Sequence, residues 1–281
     1  MLWGFFKKLV IADNCATIVN QYWDNYQNLP GVMLIILSVL FTFQIYCDFS
    51  GYSDIAIGCA RLFGFRLMQN FNYPYFARSI PEFWRRWHIS LTTWFRDYIY
   101  FPLGGSRCEK TKTIRNIFIV WSISGLWHGA NWTFVLWGVF HATLLAIYNL
   151  TGISTKHSHS DTFGKQIPSL KEASQMLLTF FFAVLGWTIF RSTDISQAYY
   201  FIASIFTNPF IDGLIDGKKW IFICCMLQLI EWSQRDKPHA LAFSQGGVFR
   251  YRIVRWCTYY IIIFCIINFS GTSQSFIYFR F

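Results

Sequence analysis

The sequence predicts an all-α, polytopic integral membrane protein, and three observations support that prediction. Hydrophobic residues make up 54% of the 281 residues and charged residues only 14%, whereas a soluble domain carries about 25% charged residues. Apolar runs of helical length recur along the chain, and charged residues lie in short clusters between them. The net charge of +10 therefore indicates basic cytoplasmic loops rather than a protein that binds nucleic acid.

The N-terminal region predicts one partly embedded helix followed by one spanning helix. The apolar run over residues 5–23 is interrupted by two lysines, an aspartate and an asparagine, which favours a short or partly embedded helix. Residues 28–31, Asn-Leu-Pro-Gly, predict a turn. The run over 32–47 falls a little short of the roughly 20 residues that a spanning helix needs, so we expect this helix to extend into the residues that follow.

A polar stretch, residues 48–54, directly follows that run and contains two aspartates, two serines and a tyrosine. Polar groups at membrane depth are tolerated where protein buries them or water reaches them. Two interpretations stay open. The stretch is either a loop in which Asp48 caps a helix, or the lining of a cavity, with Asp48 and Tyr52 as candidate substrate-binding residues.

Residues 79–102 predict a single helix at the membrane interface. Ser79 to Glu82 form a capping box with a proline in the first turn, and Pro102 closes the other end. At about 100° per residue, one narrow face carries Arg85, His88, Thr92 and Arg96. Mostly aromatic side chains lie opposite. Because the helix is too polar to span, we expect its aromatic side in hydrocarbon and its basic side toward headgroups, water or a cavity.

Two strongly apolar runs, 117–121 and 134–140, flank Trp127 and His128 and predict two membrane helices that meet at His128. A full charge at membrane depth costs about 2.5–3.5 kcal/mol, so ionisable residues there usually face a cavity or a partner. A neutral imidazole costs less and is well suited to move a proton near neutral pH. His128 is therefore the leading catalytic candidate. The alternative is that Gly125 and Gly129 allow close helix packing, and His128 only forms a hydrogen bond between the helices.

The remaining sequence predicts further spans and cytoplasmic loops. Spans are expected at 173–190 and 253–269, with another apolar run over 220–232. The loop after Pro102 and the segments 151–170 and 233–255 carry lysines and arginines, which places all three in the cytoplasm.

The eight cysteines lack metal-ligand spacing and are expected to be buried thiols. His157 and His159 have no third ligand nearby, so we expect solvated side chains and no metal site.

The sequence lacks the fingerprints of serine hydrolases, zinc proteases, P-loop proteins and dinucleotide-binding proteins. It retains two histidines in tryptophan-rich settings, His88 after Trp87 and His128 after Trp127. An imidazole without a nearby nucleophilic serine or cysteine indicates a general base that activates a substrate hydroxyl. Acyl transfer from a thioester to an alcohol needs that base, a positioned acceptor and exclusion of water.

Several blocks resemble the membrane-bound O-acyltransferase (MBOAT) family, especially its bacterial branch of alginate O-acetyltransferases and D-alanyl transfer proteins. The signature-like blocks are 81–91 and 94–105, and the blocks at 48–54, 127–130 and 276–281 are similar to the same branch. The resemblance runs in order from Gly4 to Phe281. It implies one MBOAT domain over residues 1–281, with a ring of membrane helices that includes interfacial and re-entrant helices. Family members carry further N-terminal membrane segments, so we expect the chain to begin inside the family's core.

The resemblance implies that His128 is the active-site residue and that His88 is a second functional histidine. Expected substrate-binding residues are Trp127, Asn131, Arg85, Arg86, Asp48 and Tyr52. The implied activity transfers an acetyl group from cytoplasmic acetyl-CoA across the bacterial inner membrane, with membrane lipid around the protein and with no bound cofactor. The acceptor is an exported polysaccharide, reached directly or through a periplasmic partner of the SGNH type. D-alanyl transfer from a carrier-protein thioester and a non-catalytic membrane scaffold remain alternatives.

Overall fold

The computed structural model describes residues 1–152, 167–210, 217–237, 239–243 and 247–277, and the regular structure in these ranges is helical. His157 and His159 lie outside the described residues. The helices are α1 (Leu2–Phe5), α2 (Asp13–Tyr22), α3 (Gly31–Leu62), α4 (Ile80–Arg86), α5 (Ile89–Phe95), α6 (Lys110–His128), α7 (Trp132–Thr151), α8 (Leu170–Arg191), α9 (Ile195–Thr207), α10 (Lys218–Ser233) and α11 (Arg252–Phe269).

Four of these helices, α3, α7, α8 and α11, are long and apolar enough to cross a membrane. The all-α membrane fold is therefore confirmed. By the same measure α6 and α10 are not among these four, so their crossing of the bilayer stays a prediction. The chain forms two compact units, one with residues 1–69 and 204–280, the other with residues 70–203. A single domain over 1–281 also stays a prediction.

The first unit contains α3, a 32-residue helix of about 48 Å at 1.5 Å per residue. The helix begins after Pro30 and continues without interruption through residues 48–54. The expected extension of the 32–47 run is thus confirmed. The interpretation of 48–54 as a loop with Asp48 as a helix cap is wrong, because these polar side chains are accommodated within the helix.

Two adjacent lysines on the π-helical segment between α1 and α2 supply partners for that polar stretch. Lys7 Nζ lies 2.8 Å from Asp54 Oδ2. Lys8 Nζ lies 2.8 Å from both Asp48 Oδ1 and Asp13 Oδ1. Buried charges persist in a protein when they are paired, and these pairs explain why carboxylates occur in the middle of a long apolar helix.

In the second unit, α6 and α7 form a tightly packed helical hairpin. A Cβ atom placed on Gly125 would collide with the carbonyl oxygen of Phe134, and one placed on Gly138 would collide with that of Trp121. Small residues of this kind let two membrane helices approach backbone to backbone. The hairpin holds His128 at the end of α6, directly before the turn into α7.

We expect Gly125→Ala to lower the free energy of unfolding by about 1–3 kcal/mol, the usual cost of overpacking. Alanine has a higher helix propensity than glycine by up to about 1 kcal/mol, so a net loss would be due to the collision. Denaturant titration in detergent micelles measures it. The control is Gly152→Ala, where a Cβ meets nothing within 4 Å and only the positive φ of 63° opposes it. Equal stability of Gly125→Ala and the parent protein would contradict the packing argument.

The prediction of one continuous helix over 79–102 is wrong. The N-terminal cap is present, since Ser79 Oγ accepts a hydrogen bond from the Glu82 amide at 3.3 Å. The chain then breaks between α4 and α5 at His88, whose backbone is left-handed, with φ 43° and ψ 54°. The amides of Ile89 and Ser90 donate to Asn70 instead of continuing a helix from α4.

The break also changes the environment of the aromatic side chains in this region. Phe83, Trp84 and Trp87 are buried in protein, whereas Trp94 and Tyr98 are exposed. The predicted single aromatic face toward hydrocarbon is therefore wrong for the first part of the segment. The aromatic residues of that part pack on rings of other helices instead, as Trp84 does on Trp137.

Candidate active site

His128 is the last residue of α6 and is half-buried against aromatic rings. Its ring centroid lies 5.0 Å from that of Trp127, 5.3 Å from Trp137 and 5.1 Å from Phe190. The last two rings stand nearly perpendicular to the imidazole. Aromatic contacts of this kind fix the orientation of the ring and keep water from its buried side.

The aromatic wall behind His128 continues through the second unit. Trp137 and Trp187 stack at 6.0 Å, Trp187 packs on Trp87 at 4.8 Å, and Trp137 meets Trp84 at 5.5 Å. All four indoles are at most 7% exposed. A catalytic group at the edge of such a wall operates in a medium of low dielectric, where its electrostatic interactions are stronger than in water.

His88 and His128 both lie near the same indole, that of Trp127. The His88 ring centroid is 6.4 Å from that of Trp127, which is 5.0 Å from that of His128. The structure therefore brings together three residues that the sequence analysis singled out. A left-handed backbone at a residue other than glycine costs about 1–2 kcal/mol, and such strain often occurs at functional sites.

Burial lowers the pKa of His88 from 6.5 to about 4, although a backbone hydrogen bond within His88 opposes the shift. We therefore expect a neutral imidazole throughout pH 5–8. A ¹⁵N NMR titration of the protein in lipid nanodiscs, with His88 assigned through His88→Gln, should give a midpoint near 4. A midpoint near 6.5 would show that His88 is solvated and would contradict this assignment.

His141 is a buried residue of the site that the sequence analysis missed. It is 1% exposed, and its Nδ1 accepts a hydrogen bond from Trp84 Nε1 at 3.3 Å. Its ring lies 5.1 Å from Trp137, which also packs against His128. Residues 137 and 141 are one helical turn apart on α7, so the i, i+4 spacing of a tryptophan and a histidine was the available signal.

Asn131 forms the N-terminal cap of α7 with both ends of its amide engaged. Its Oδ1 accepts a hydrogen bond from the Thr133 amide at 3.1 Å, and its Nδ2 donates to the Thr193 carbonyl at 2.7 Å. These bonds fix the turn that follows His128. A substrate-binding role for Asn131 stays a prediction.

The two candidate arginines on α4 have different environments. Arg85 is exposed, whereas Arg86 is buried and its Nη2 lies 2.5 Å from Glu82 Oε1. Glu82 Oε2 also lies 3.4 Å from Arg78 Nε. Burial alone would raise the pKa of Glu82, but Arg86 and Arg78 outweigh it and hold that pKa below its ordinary value. Arg86 is thus part of a buried ion-pair network.

The other two candidate residues, Asp48 and Tyr52, belong to the first unit. Asp48 is 3% exposed, and its carboxylate contacts Lys8 Nζ and accepts a hydrogen bond from the Ile277 amide at 2.7 Å. Tyr52 is exposed, and its ring stacks on Phe276 at a centroid distance of 4.9 Å. These contacts join α3 to the C-terminal segment.

Comparison with known proteins decides the family. Residues 3–190 match the sequence model of the membrane-bound O-acyltransferase family, MBOAT. The chain belongs to that family. The MBOAT match includes both candidate histidines and most of the aromatic wall behind them.

Three relatives of this MBOAT chain illustrate its range of similarity. A probable alginate O-acetylase AlgI of Pseudomonas syringae pv. tomato is 46% identical over 195 residues, 69% of this chain and 35% of the relative. A peptidoglycan O-acetyltransferase of Helicobacter pylori is 39% identical over 195 residues, 69% and 36% of the two chains. A teichoic acid D-alanyltransferase of Bacillus subtilis is 30% identical over 198 residues, 66% and 48%. The matched region is thus well under two thirds of these relatives' length.

Proposed function

We propose that this chain carries the active site of an O-acetyltransferase that uses acetyl-CoA and acetylates hydroxyl groups of an exported polysaccharide, of the alginate type. The observation that supports it most directly is that His128 and His88 both lie beside Trp127, at the edge of the buried aromatic wall. Family membership and the names of the alginate and peptidoglycan relatives support acetyl as the acyl group that is transferred.

In the proposed reaction, His128 is the general base. Its neutral imidazole takes the proton of the acceptor hydroxyl while the hydroxyl oxygen attacks the thioester carbonyl. A carbon–oxygen bond forms, the carbon–sulfur bond breaks, and the departing thiolate takes the proton back from the imidazolium. The products are an ester and a free thiol, and His128 returns to its neutral form.

His88 and the remaining candidate residues orient the two substrates in this proposal. A neutral His88 donates a hydrogen bond from one ring nitrogen and accepts one at the other, so it is suited to hold the acceptor or the thioester. The exposed Arg85 is a more suitable contact for the phosphates of the donor than Arg86, whose guanidinium is paired with Glu82. Contacts of Trp127, Asn131, Asp48 and Tyr52 with substrate belong to the same proposal.

The proposed location is the bacterial inner membrane, crossed several times. The basic segments after Pro102, at 151–170 and at 233–255 would then lie in the cytoplasm on the donor side. The acceptor is a polysaccharide hydroxyl on the other side, or the serine of a periplasmic SGNH-type partner that passes the acetyl group on. The Bacillus subtilis relative favours one second candidate, D-alanyl transfer from a carrier-protein thioester.

The test is acyl transfer in membranes that contain the chain, with either labelled acetyl-CoA or a D-alanyl-loaded carrier protein as donor. Because the relatives are longer, the assay is also run on a fusion protein in which this chain replaces the matched region of the Pseudomonas syringae relative. Acetyl ester formation in either form would support the proposal. Transfer from the D-alanyl-loaded carrier protein alone would show that this thioester, and not acetyl-CoA, is the acyl donor. If a folded fusion protein consumed neither thioester, the enzymatic function would be refuted in favour of a scaffold.

A further inference from the structure

Asn70 and Ser90 form a hydrogen-bond chain that leads to the ring of His88. The main-chain carbonyl of Asn70 accepts the Ile89 amide at 3.0 Å. The Asn70 side-chain Oδ1 accepts both the Ser90 amide, at 3.1 Å, and the Ser90 hydroxyl, at 2.7 Å. The same Ser90 oxygen lies 3.4 Å from His88 Nδ1. Asn70 therefore contacts the first turn of α5 immediately after the strained backbone of His88.

The direction of each bond in this chain follows from the donors and acceptors available. A backbone amide can only donate, so the Asn70 atom that faces the Ser90 amide must be the oxygen. That oxygen can only accept, so the Ser90 hydroxyl must give its hydrogen to Asn70. The Ser90 oxygen then has only lone pairs to offer His88, and the ring nitrogen that faces it must carry a hydrogen.

We propose that Asn70 and Ser90 are positioning residues that fix His88 in the tautomer with hydrogen on Nδ1 and the lone pair on Nε2. The ring can then accept a proton or a hydrogen bond only at Nε2, the atom farther from its own backbone. The same hydrogen bonds hold the ring in place. In functional histidines in general, the hydrogen bond that one ring nitrogen makes decides which of the two nitrogens carries the hydrogen.

The consequence for catalysis rests on the proposed function. If His88 orients the acceptor, its Nε2 lone pair accepts a hydrogen bond from a neighbouring hydroxyl of the sugar, which leaves the proton of the reacting hydroxyl to His128. The opposite tautomer would present a hydrogen at Nε2 instead. Loss of the Ser90 hydroxyl would then lower kcat by about 10-fold, a small part of what a positioned acid or base usually contributes. KM for acetyl-CoA would change less than about 2-fold, because Ser90 acts through His88.

The direct test is ¹⁵N NMR of histidine-labelled protein in nanodiscs at pH 7, since the ring nitrogens with and without hydrogen have well-separated shifts. His88→Gln assigns the signals. We expect the parent protein to show hydrogen on Nδ1, and Ser90→Ala to give a mixture of both tautomers. Ser90→Thr, which keeps the hydroxyl, should restore the parent pattern. Thr93→Val removes a hydroxyl of the same helix that is not part of the Asn70–Ser90–His88 hydrogen-bond chain, and it should leave the pattern unchanged.

Three results would overturn the assignment: hydrogen on Nε2 in the parent protein, an unchanged tautomer in Ser90→Ala, or an equal change in Thr93→Val. The NMR readout does not depend on activity. If the tautomer responds as expected but neither Ser90→Ala nor His88→Gln affects acetyl transfer, the hydrogen-bond chain is supported, and it is the role of His88 in the proposed function that fails.

Discussion

Replacing His128 with glutamine is expected to lower acetyl transfer by at least about 100-fold, the lower end of what a positioned general base contributes. Glutamine preserves the approximate size of the ring and its ability to form hydrogen bonds, but it cannot take a proton from a hydroxyl near neutral pH. The loss should be in kcat, because the aromatic contacts that shape the pocket come from Trp137 and Phe190 and remain. Labelled acetyl-CoA and a polysaccharide acceptor measure both kinetic constants.

The matched control is His239→Gln, the same exchange at a histidine of the first unit that has no role in the proposed reaction. It should retain activity within about 2-fold. Thermal unfolding of both variants in nanodiscs establishes that His128→Gln still folds. Activity of His128→Gln above about a tenth of the parent level would exclude His128 as the base and leave the interhelical hydrogen-bond interpretation in its place.

The sequence predicted most helices because their signal is local. The apolar runs at 32–47, 134–140, 173–190 and 253–269 each correspond to a helix that is long and apolar enough to span a bilayer. The capping box at Ser79 is also local, since the cap and the residue that donates to it are three positions apart. His128 was recognised for the same reason: an ionisable residue between two apolar runs is unusual wherever it occurs.

The errors came from partners that are distant in the sequence. Nothing within residues 79–102 indicates that Asn70 accepts hydrogen bonds from the amides of Ile89 and Ser90. These bonds replace those that would continue the helix past His88. Likewise, the position of Asp48 inside α3 depends on Lys8, a residue of another helix. In both cases a distant polar residue provides the hydrogen-bond or ion-pair partner. The local sequence pattern alone therefore predicts the wrong secondary structure.

His141 illustrates a different limit. A histidine on an apolar helix is visible in the sequence, but its contacts with Trp84 and Trp137 depend on how α4 packs against α7. The same holds for the indole that His88 and His128 share. The sequence singled out both histidines, and only the fold showed that both lie near Trp127.

Glu82→Gln is expected to lower the free energy of unfolding by about 3–5 kcal/mol, the usual cost of breaking a buried ion pair. The Glu82 carboxylate is 5% exposed and lies between the guanidinium groups of Arg86 and Arg78. Removing its charge places a neutral amide beside two buried arginines, of which Arg78 still contacts Glu172 Oε1 at 3.4 Å. Loss of one partner from a buried ion pair costs far more than the pair itself contributes, because the remaining charge is desolvated without compensation.

Chemical denaturation in detergent micelles measures this loss, with Glu109→Gln as the matched control. Glu109 pairs with Lys112 at 3.8 Å on the surface, where its side chain is 78% exposed, so its replacement should change stability by less than about 0.5 kcal/mol. An equally small effect of Glu82→Gln would mean that water reaches the network and that its charges are not truly buried.

The same carboxylate predicts a specific dependence of stability on pH. The two arginines hold the pKa of Glu82 below its ordinary value of 4.5, so the folded protein releases this proton more readily than the unfolded chain does. The stabilisation is therefore fully present above pH 4.5 and is lost as the pH falls through the lowered pKa. Because glutamine does not titrate, the stability difference between the parent protein and Glu82→Gln should shrink steadily below that pH. A difference that stayed constant from pH 7 to pH 3 would show that the ion pairs with Arg86 and Arg78 do not stabilise the fold through the charge of Glu82.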